Sequence, residues 1–128
     1  MRRGPFTIFA KLLLPALQKS VRKSARMQTY VDATRIACAL ERCRLATGKL
    51  PQTLDNLTPK FIDALPNDVI DGKPLRYRPA ADGGFSIYSV GWNQTDDGGE
   101  LAWTKQKKQT NLDVTQGDWV WLMTSRQD

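Results

Sequence analysis

The first half of the chain repeats its apolar residues at helical spacing. Residues 16–47 contain neither Pro nor Gly. Two apolar stripes run along this stretch, a weak one at Leu17, Val21, Ala25 and Gln28 and a stronger one at Ala33, Ile36, Ala37, Leu40 and Cys43. Gly48, with Pro51 just beyond it, is typical of a helix C-terminus. The pattern predicts a helix from Ala16 to Thr47 that buries the second stripe.

The second half changes to short segments separated by turn residues. Thr53 is a candidate cap for a short helix with Leu54 and Leu57 facing inward, and Pro59 starts a further turn. The apolar side of that turn consists of Phe61, Ile62 and Leu65. Strands are expected at residues 75–78, 85–90, 100–104 and 118–122, with turns at 71–74 and 81–84. Residues 105–117 are polar and predict a loop. The fold class is therefore α+β, a long N-terminal helix packed on a small antiparallel sheet.

Residues 1–15 form a basic and apolar segment ahead of this domain, which we place at residues 16–128. The run from Phe6 to Leu17 is apolar except for Thr7 and Lys11. It is shorter than the roughly 20 apolar residues that span a bilayer, and it contains Pro15. A weak signal-peptide character is present, but no small-residue cleavage site follows. The segment is better read as a peripheral membrane contact or as a stretch once internal to a longer protein.

The charge of the chain is unevenly distributed. Residues 1–49 hold 11 of the 19 Lys and Arg residues, with only Asp32 and Glu41 against them, which gives this part +9. The remaining residues hold 8 basic and 11 acidic side chains, which gives −3. A basic arm of this kind can face anionic lipid, nucleic acid or an acidic partner. A solvated helix face explains the same residues, and the sequence leaves the two interpretations open.

The residue types present argue against an enzyme. The chain has no His, which removes the commonest general base and zinc ligand. Cys38 and Cys43 lie about 140° apart around the predicted helix, so they are poorly placed to pair or to share a metal. All four Trp residues lie in the second half, away from the basic arm, and core packing explains them better than base stacking. No small-molecule substrate or cofactor motif is recognisable.

One loop is dense in oxygen ligands. The predicted strand at residues 85–90 runs into Gly91–Glu100, where Asn93, Asp96 and Asp97 supply side-chain oxygens. Gly98 and Gly99 give the loop the conformational freedom to fold around a small object. Calcium takes six to eight such oxygens, so a structural calcium ion is one interpretation. A polar hairpin turn with solvated acids is the other.

Three motifs in this order resemble the major pseudopilin of type II secretion. The first is the end of the predicted helix with the residues that follow it, Ala39-Leu40, Gly48, Pro51, Thr53 and Leu54. The second is the turn Gly72-x-Pro74-x-x-Tyr77. The third is the strand Phe85-Ser86-Ile87-Tyr88-Ser89-Val90-Gly91. The resemblance covers about residues 33–121 and extends to uncharacterised proteins of planctomycete and verrucomicrobial type. The start of the chain departs from the family, because Pro5 and Lys11 interrupt it and the usual glutamate is missing. Prepilin processing and pilus assembly are therefore not implied.

The resemblance implies a site and a role. In the family the corresponding loop binds calcium, which would make Asn93, Asp96 and Asp97 ligands here, with Asp118 as the closing acid and the Val90 carbonyl as a further ligand. It also implies a non-enzymatic structural or interaction module of the bacterial cell envelope, periplasmic or membrane-associated. Its partners would be other envelope or secretion-system proteins, with membrane contact through residues 1–26. A C-terminal accessory domain of a larger envelope protein and a nucleic-acid binder using the basic arm are the alternatives.

Overall fold

The protein is an α+β domain in which one long helix packs on a small antiparallel sheet. A computed structural model describes residues 5–106 and 109–124. Helix α1 spans Pro5–Thr47, and a short 3-10 helix spans Leu54–Leu57. The strands are β1 (Arg76–Pro79), β2 (Phe85–Ser89), β3 (Leu101–Gln106), β4 (Gln109–Gly117) and β5 (Trp119–Met123). β2 lies between β1 and β5, and β3 pairs with β4 as a separate two-stranded sheet.

The core forms where the predicted stripe of α1 meets the sheet. Ala33, Ile36, Ala37, Leu40 and Cys43 are all buried, as the helical spacing predicts. They pack with Leu54, Leu57, Leu75, Phe85 and Ile87. Gly48 ends the helix with φ of 80° and donates its N–H to the Arg44 carbonyl at 2.7 Å. The second stripe, its helix end and the inward-facing leucines are therefore confirmed.

Three local predictions are wrong. α1 begins at Pro5 rather than at Ala16 and continues through Pro15. Its first stripe lies outside the core, since Leu17 and Val21 are each 58% exposed, and only the second stripe is predicted to be buried. The segment predicted as a loop at residues 105–117 contains the end of β3 and all of β4, and the two strands pair antiparallel from Leu101↔Gly117 to Gln106↔Gln109. Thr53 precedes the 3-10 helix in an extended conformation, but its side chain forms no capping hydrogen bond.

One cysteine and two of the tryptophans pack in or against the core. Cys43 is buried in the core while Cys38 is exposed, and neither forms a disulfide. Trp119 is buried on β5, and Trp121 packs at the edge of the core with its ring 6.3 Å from that of Tyr30. The side chain of Trp103 lies outside the described part of the chain.

Candidate functional site

Two features of the structure are candidates for function, the N-terminal half of α1 and the loop at residues 91–100. The first is a helical arm, here defined as residues 6–28. None of its residues is buried, and the first buried residue of α1 is Thr29. At 1.5 Å per residue the arm is about 35 Å long. It is therefore the part of the helix that the body of the domain leaves largely uncovered.

The arm separates cationic from apolar side chains around its axis. At 100° per residue, one arc of about 120° contains the five cations Lys11, Lys19, Arg22, Lys23 and Arg26. An opposite arc of about 140° contains the apolar residues Phe6, Phe9, Leu13, Leu14, Leu17 and Val21, each more than half exposed. Ile8 and Leu12 share the cationic arc, so the first turns are apolar on nearly every side. The last two turns of the arm carry Arg22, Lys23 and Arg26, whereas the six residues on the apolar arc all lie N-terminal to Arg22.

The cationic arc includes the side of the arm that contacts the body. The Arg22 guanidinium lies 5.9 Å from the centroid of the Trp92 ring, and that of Arg26 lies 5.3 Å from the Tyr30 ring. Arg26 also donates a hydrogen bond to the Tyr30 hydroxyl at 2.9 Å. On the same helical projection, the core residue Leu40 lies about 150° from the centre of the apolar arc and Ile36 about 110° from it. Most of the apolar arc therefore faces away from the body.

No described helix is long and apolar enough to cross a membrane. This agrees with the interruption of the apolar run by Lys11 and with the cluster of cations from Lys19 onward. The described part of the arm is an exposed amphipathic helix, and residues 1–4 lie outside the described residues.

The second candidate is the loop Gly91–Glu100 with Asp118. The structure brings the four predicted ligands into one region, since the N–H groups of Asp97 and Gly99 donate to the Asp118 carboxylate at 3.1 and 2.6 Å. The Asn93 side-chain amide donates to Asp97 at 3.0 Å. Asp118 is buried, whereas Asp96 and Asp97 are exposed. Burial raises the pKa of the Asp118 carboxyl above its ordinary value, the two N–H donors lower it, and the nearby Asp97 and Asp96 raise it further.

These residues do not form a calcium cage. Among residues 5–106 and 109–124, no group of three or more His, Cys, Asp and Glu side chains is arranged to hold a metal ion. Six to eight oxygens would have to converge for calcium. Here the Asp118 oxygens point at backbone N–H groups instead, so the present arrangement does not fit the ion. Calcium binding stays a prediction of the resemblance.

A fourth acidic residue near the loop, Asp68, is absent from the sequence predictions. It is 1% exposed and accepts hydrogen bonds from the Ser89 hydroxyl at 2.8 Å and the Val90 N–H at 3.0 Å. Arg76 donates to it at 2.9 Å and also pairs with Asp71. Asp68 therefore fixes the end of β2, immediately before the oxygen-rich loop. The sequence signal that could have found it is the Asp68/Asp71 pair five to eight residues before an arginine.

No family model, curated protein or solved structure matches this chain. The fold alone defines the protein as an α+β domain with a long helix whose N-terminal half is largely uncovered by the rest of the domain. Function is therefore argued from the arm, the body and the sequence resemblance.

Proposed function

We propose that this chain is a non-enzymatic structural or interaction module of the bacterial cell envelope, pseudopilin-like in its domain. The arm binds an anionic membrane surface, and the body is held beside that surface for contact with other envelope or secretion-system proteins. The observation that carries this proposal is the separation of five cations from six exposed apolar side chains around residues 6–28. A cationic amphipathic helix of this kind lies in the plane of a membrane interface.

Two contributions to the binding free energy act together when the arm meets a membrane. Large apolar side chains such as Phe9, Leu13 and Leu17 gain free energy when they leave water for the acyl boundary. Each Lys or Arg close to an anionic surface contributes about 1 kcal/mol more. Because most of the apolar arc faces away from the body, insertion of that arc leaves the body on the aqueous side. The arm can therefore bind lipid without unfolding the core.

The sequence resemblance supports the envelope part of the proposal. The motifs that resemble the pseudopilin lie in α1, in the turn before β1 and in β2, and these elements form the packed body of the domain. A C-terminal accessory domain of a larger envelope protein would use the same body and the same arm. Under that alternative the arm would still contact the membrane.

The test is sedimentation of the full chain with lipid vesicles. We expect the protein to bind vesicles that contain an anionic phospholipid, to bind zwitterionic vesicles weakly, and to release as salt concentration rises. The double variant Lys19→Glu/Lys23→Glu should bind anionic vesicles weakly, because both side chains are exposed in the cationic arc. Lys49→Glu/Lys73→Glu makes the same charge change at exposed positions outside the arm and should bind like the parent.

Two results would overturn the proposal. One is the absence of sedimentation with anionic vesicles. The other is tight, salt-dependent binding to duplex DNA that Lys19→Glu/Lys23→Glu abolishes while lipid binding stays weak, which would assign the basic arc to nucleic acid.

A further inference from the structure

We infer that the loop Gly91–Glu100 is closed by the buried carboxylate of Asp118, which takes the place of a bound metal ion in organising it. The Asp118 side chain accepts the Asp97 N–H on one oxygen and the Gly99 N–H on the other. Its own backbone N–H donates to the Glu100 carbonyl at 2.9 Å. The side chain and the backbone of Asp118 therefore both hold residues 97–100 of the loop. Asp97 and Asp118 are 21 residues apart in sequence.

The other three predicted ligands also accept N–H donors. Asp96 accepts the Gly98 N–H at 3.0 Å, and its second oxygen lies 3.9 Å from the Arg76 guanidinium. Asp97 accepts the Asn93 side-chain amide at 3.0 Å, and the Asn93 oxygen accepts the Thr95 N–H at 3.1 Å. An N–H group presents its positive end to the oxygen, on the side from which a cation would approach. A calcium ion bound by all four residues would have to use the lone pairs that these N–H donors leave free.

Protein groups partly offset the acidic charge around the loop. Arg76 lies between Asp68, Asp71 and Asp96 and donates hydrogen bonds to the first two. The charge of Asp118 is met by two backbone dipoles, which partly offset the cost of its burial. A fixed guanidinium and oriented N–H groups thus supply part of the neutralisation that a divalent ion would supply in a calcium loop.

Two glycines, Gly91 and Gly99, allow the loop to pack closely against its neighbours. Gly91 has φ of 70°, and a side-chain carbon added there would collide with the Gly117 carbonyl oxygen. Gly99 lies against the Tyr88 ring, where an added carbon would approach to 3.3 Å. The glycines therefore let the loop come close enough for the Asp97 and Gly99 N–H groups to reach Asp118.

Asp68 provides a second example of the same arrangement in this domain. Its carboxylate accepts the N–H groups of Ile70 and Val90 at 2.9 and 3.0 Å. Asp68 thus anchors the chain just before Gly91, and Asp118 anchors it from Asp97 to Glu100. The whole connection between β2 and β3 is held between two buried aspartates.

Thermal melting of the full chain in EDTA, and then with calcium or magnesium, tests the inference. We expect the melting temperature to change by less than about 1 °C between these conditions. A site filled at about 100 times its dissociation constant would raise the melting temperature by about 10 °C in a domain of this size. A calcium-specific rise of several degrees that Asp97→Ala abolishes would overturn the inference.

The variant Asp118→Asn separates the two roles of the residue. If Asp118 closes the loop by accepting two N–H groups, Asp118→Asn lowers the melting temperature in EDTA by several degrees, since one acceptor becomes a donor. If Asp118 acts only as a metal ligand, the substitution has no effect in EDTA. The exposed Asp63→Asn is the matched control and should melt like the parent.

Hydrogen exchange gives a second readout that does not depend on a variant. In EDTA, the amide hydrogens of Asp97 and Gly99 should exchange more slowly than that of Asp96, which lies at the exposed tip of the loop. Equal, fast exchange at all three positions in EDTA, followed by slowing at Asp97 and Gly99 with calcium, would contradict the inference.

Discussion

The Val90 N–H donates to the Asp68 carboxylate at 3.0 Å across 22 residues of sequence. Asp68 also accepts bonds from the Ser89 hydroxyl and from Arg76, so a nearly inaccessible side chain joins the loop before β1 to the end of β2. Without the carboxylate, the buried Ser89 hydroxyl and Val90 N–H would lose this acceptor, while Arg76 would keep its pairing with Asp71.

Asp68→Ala should therefore lower the free energy of unfolding by about 3–5 kcal/mol, because it removes one partner of a buried ion pair. The measurement is denaturant unfolding at neutral pH. Asp63→Ala, at an exposed position, should stay within about 0.5 kcal/mol of the parent. A loss below about 1 kcal/mol for Asp68→Ala would mean that this hydrogen-bond network does not hold β2 in place.

The core side of α1 gives a second stability prediction. Leu40 is fully buried between α1 and the sheet, and Leu40→Ala should cost about 2–5 kcal/mol through lost burial and a cavity. Leu45 is 85% exposed on the same helix, so Leu45→Ala should change the free energy of unfolding by less than about 0.5 kcal/mol. Similar losses for both variants in denaturant unfolding would show that the buried stripe is misplaced.

Gly91 and Gly72 have similar backbone conformations but different surroundings, so alanine substitutions at the two positions can be compared. Both have positive φ, 70° and 72°, but an added carbon meets the Gly117 carbonyl at Gly91 and open space at Gly72. Gly72→Ala should cost about 1 kcal/mol for the backbone conformation alone. Gly91→Ala should cost clearly more, because the loop base must also move apart. Equal melting temperatures for the two variants would contradict the close approach of Gly91 and Gly117.

The acid-side stability of the domain should depend on Asp71. The hydrogen bond from Arg76 lowers the pKa of the Asp71 carboxyl below its ordinary value of 3.8. A lowered pKa contributes stability that is present above the ordinary value and is lost as pH falls through the lowered value. Asp71→Asn should therefore reduce the dependence of the melting temperature on pH below about 4. An unchanged slope between parent and variant in that range would contradict this assignment.

The pKa of Asp118 shifts in the opposite direction to that of Asp71, so its contribution to stability depends on pH in the opposite way. Burial raises the pKa of its carboxyl, so the native state binds the proton more tightly than the unfolded chain. Its contribution to stability is then full below the ordinary value of 3.8 and declines as pH rises through the raised value. The melting temperature of Asp118→Asn should lack this decline. A variant that keeps the slope of the parent over the same pH range would show that another group titrates there.

The predictable part of the fold is the part with a periodic apolar pattern. The stripe from Ala33 to Cys43 carries that pattern, and its burial is confirmed. β4 carries no such pattern over its length, because Leu112 and Val114 are its only large apolar residues, and it is held by backbone pairing with β3. Propensity alone could not distinguish it from a loop.

The candidate site was predicted less completely than the fold. The resemblance placed Asp118 near Asp97, and the structure brings them together, but the use of Asp118 as an acceptor of backbone N–H groups depends on the folded loop. Asp68 has partners 21 and 22 residues away, and no local pattern marks such contacts. The sequence shows that the arm contains basic and apolar residues. Only the structure shows that its apolar side chains are left exposed by the body.

Sedimentation with anionic vesicles of the parent and of Leu13→Gln/Leu17→Gln tests the central claim most directly. Both leucines are more than half exposed in the apolar arc, and the substitutions leave the charge unchanged. Leu122→Gln, at a position that is 69% exposed on β5, is the control. We predict that the arm variant binds at least about tenfold more weakly than the parent, since each buried Leu is worth about 1.5–3 kcal/mol. The control should bind like the parent, and equal binding of all three proteins would contradict a membrane-bound arm.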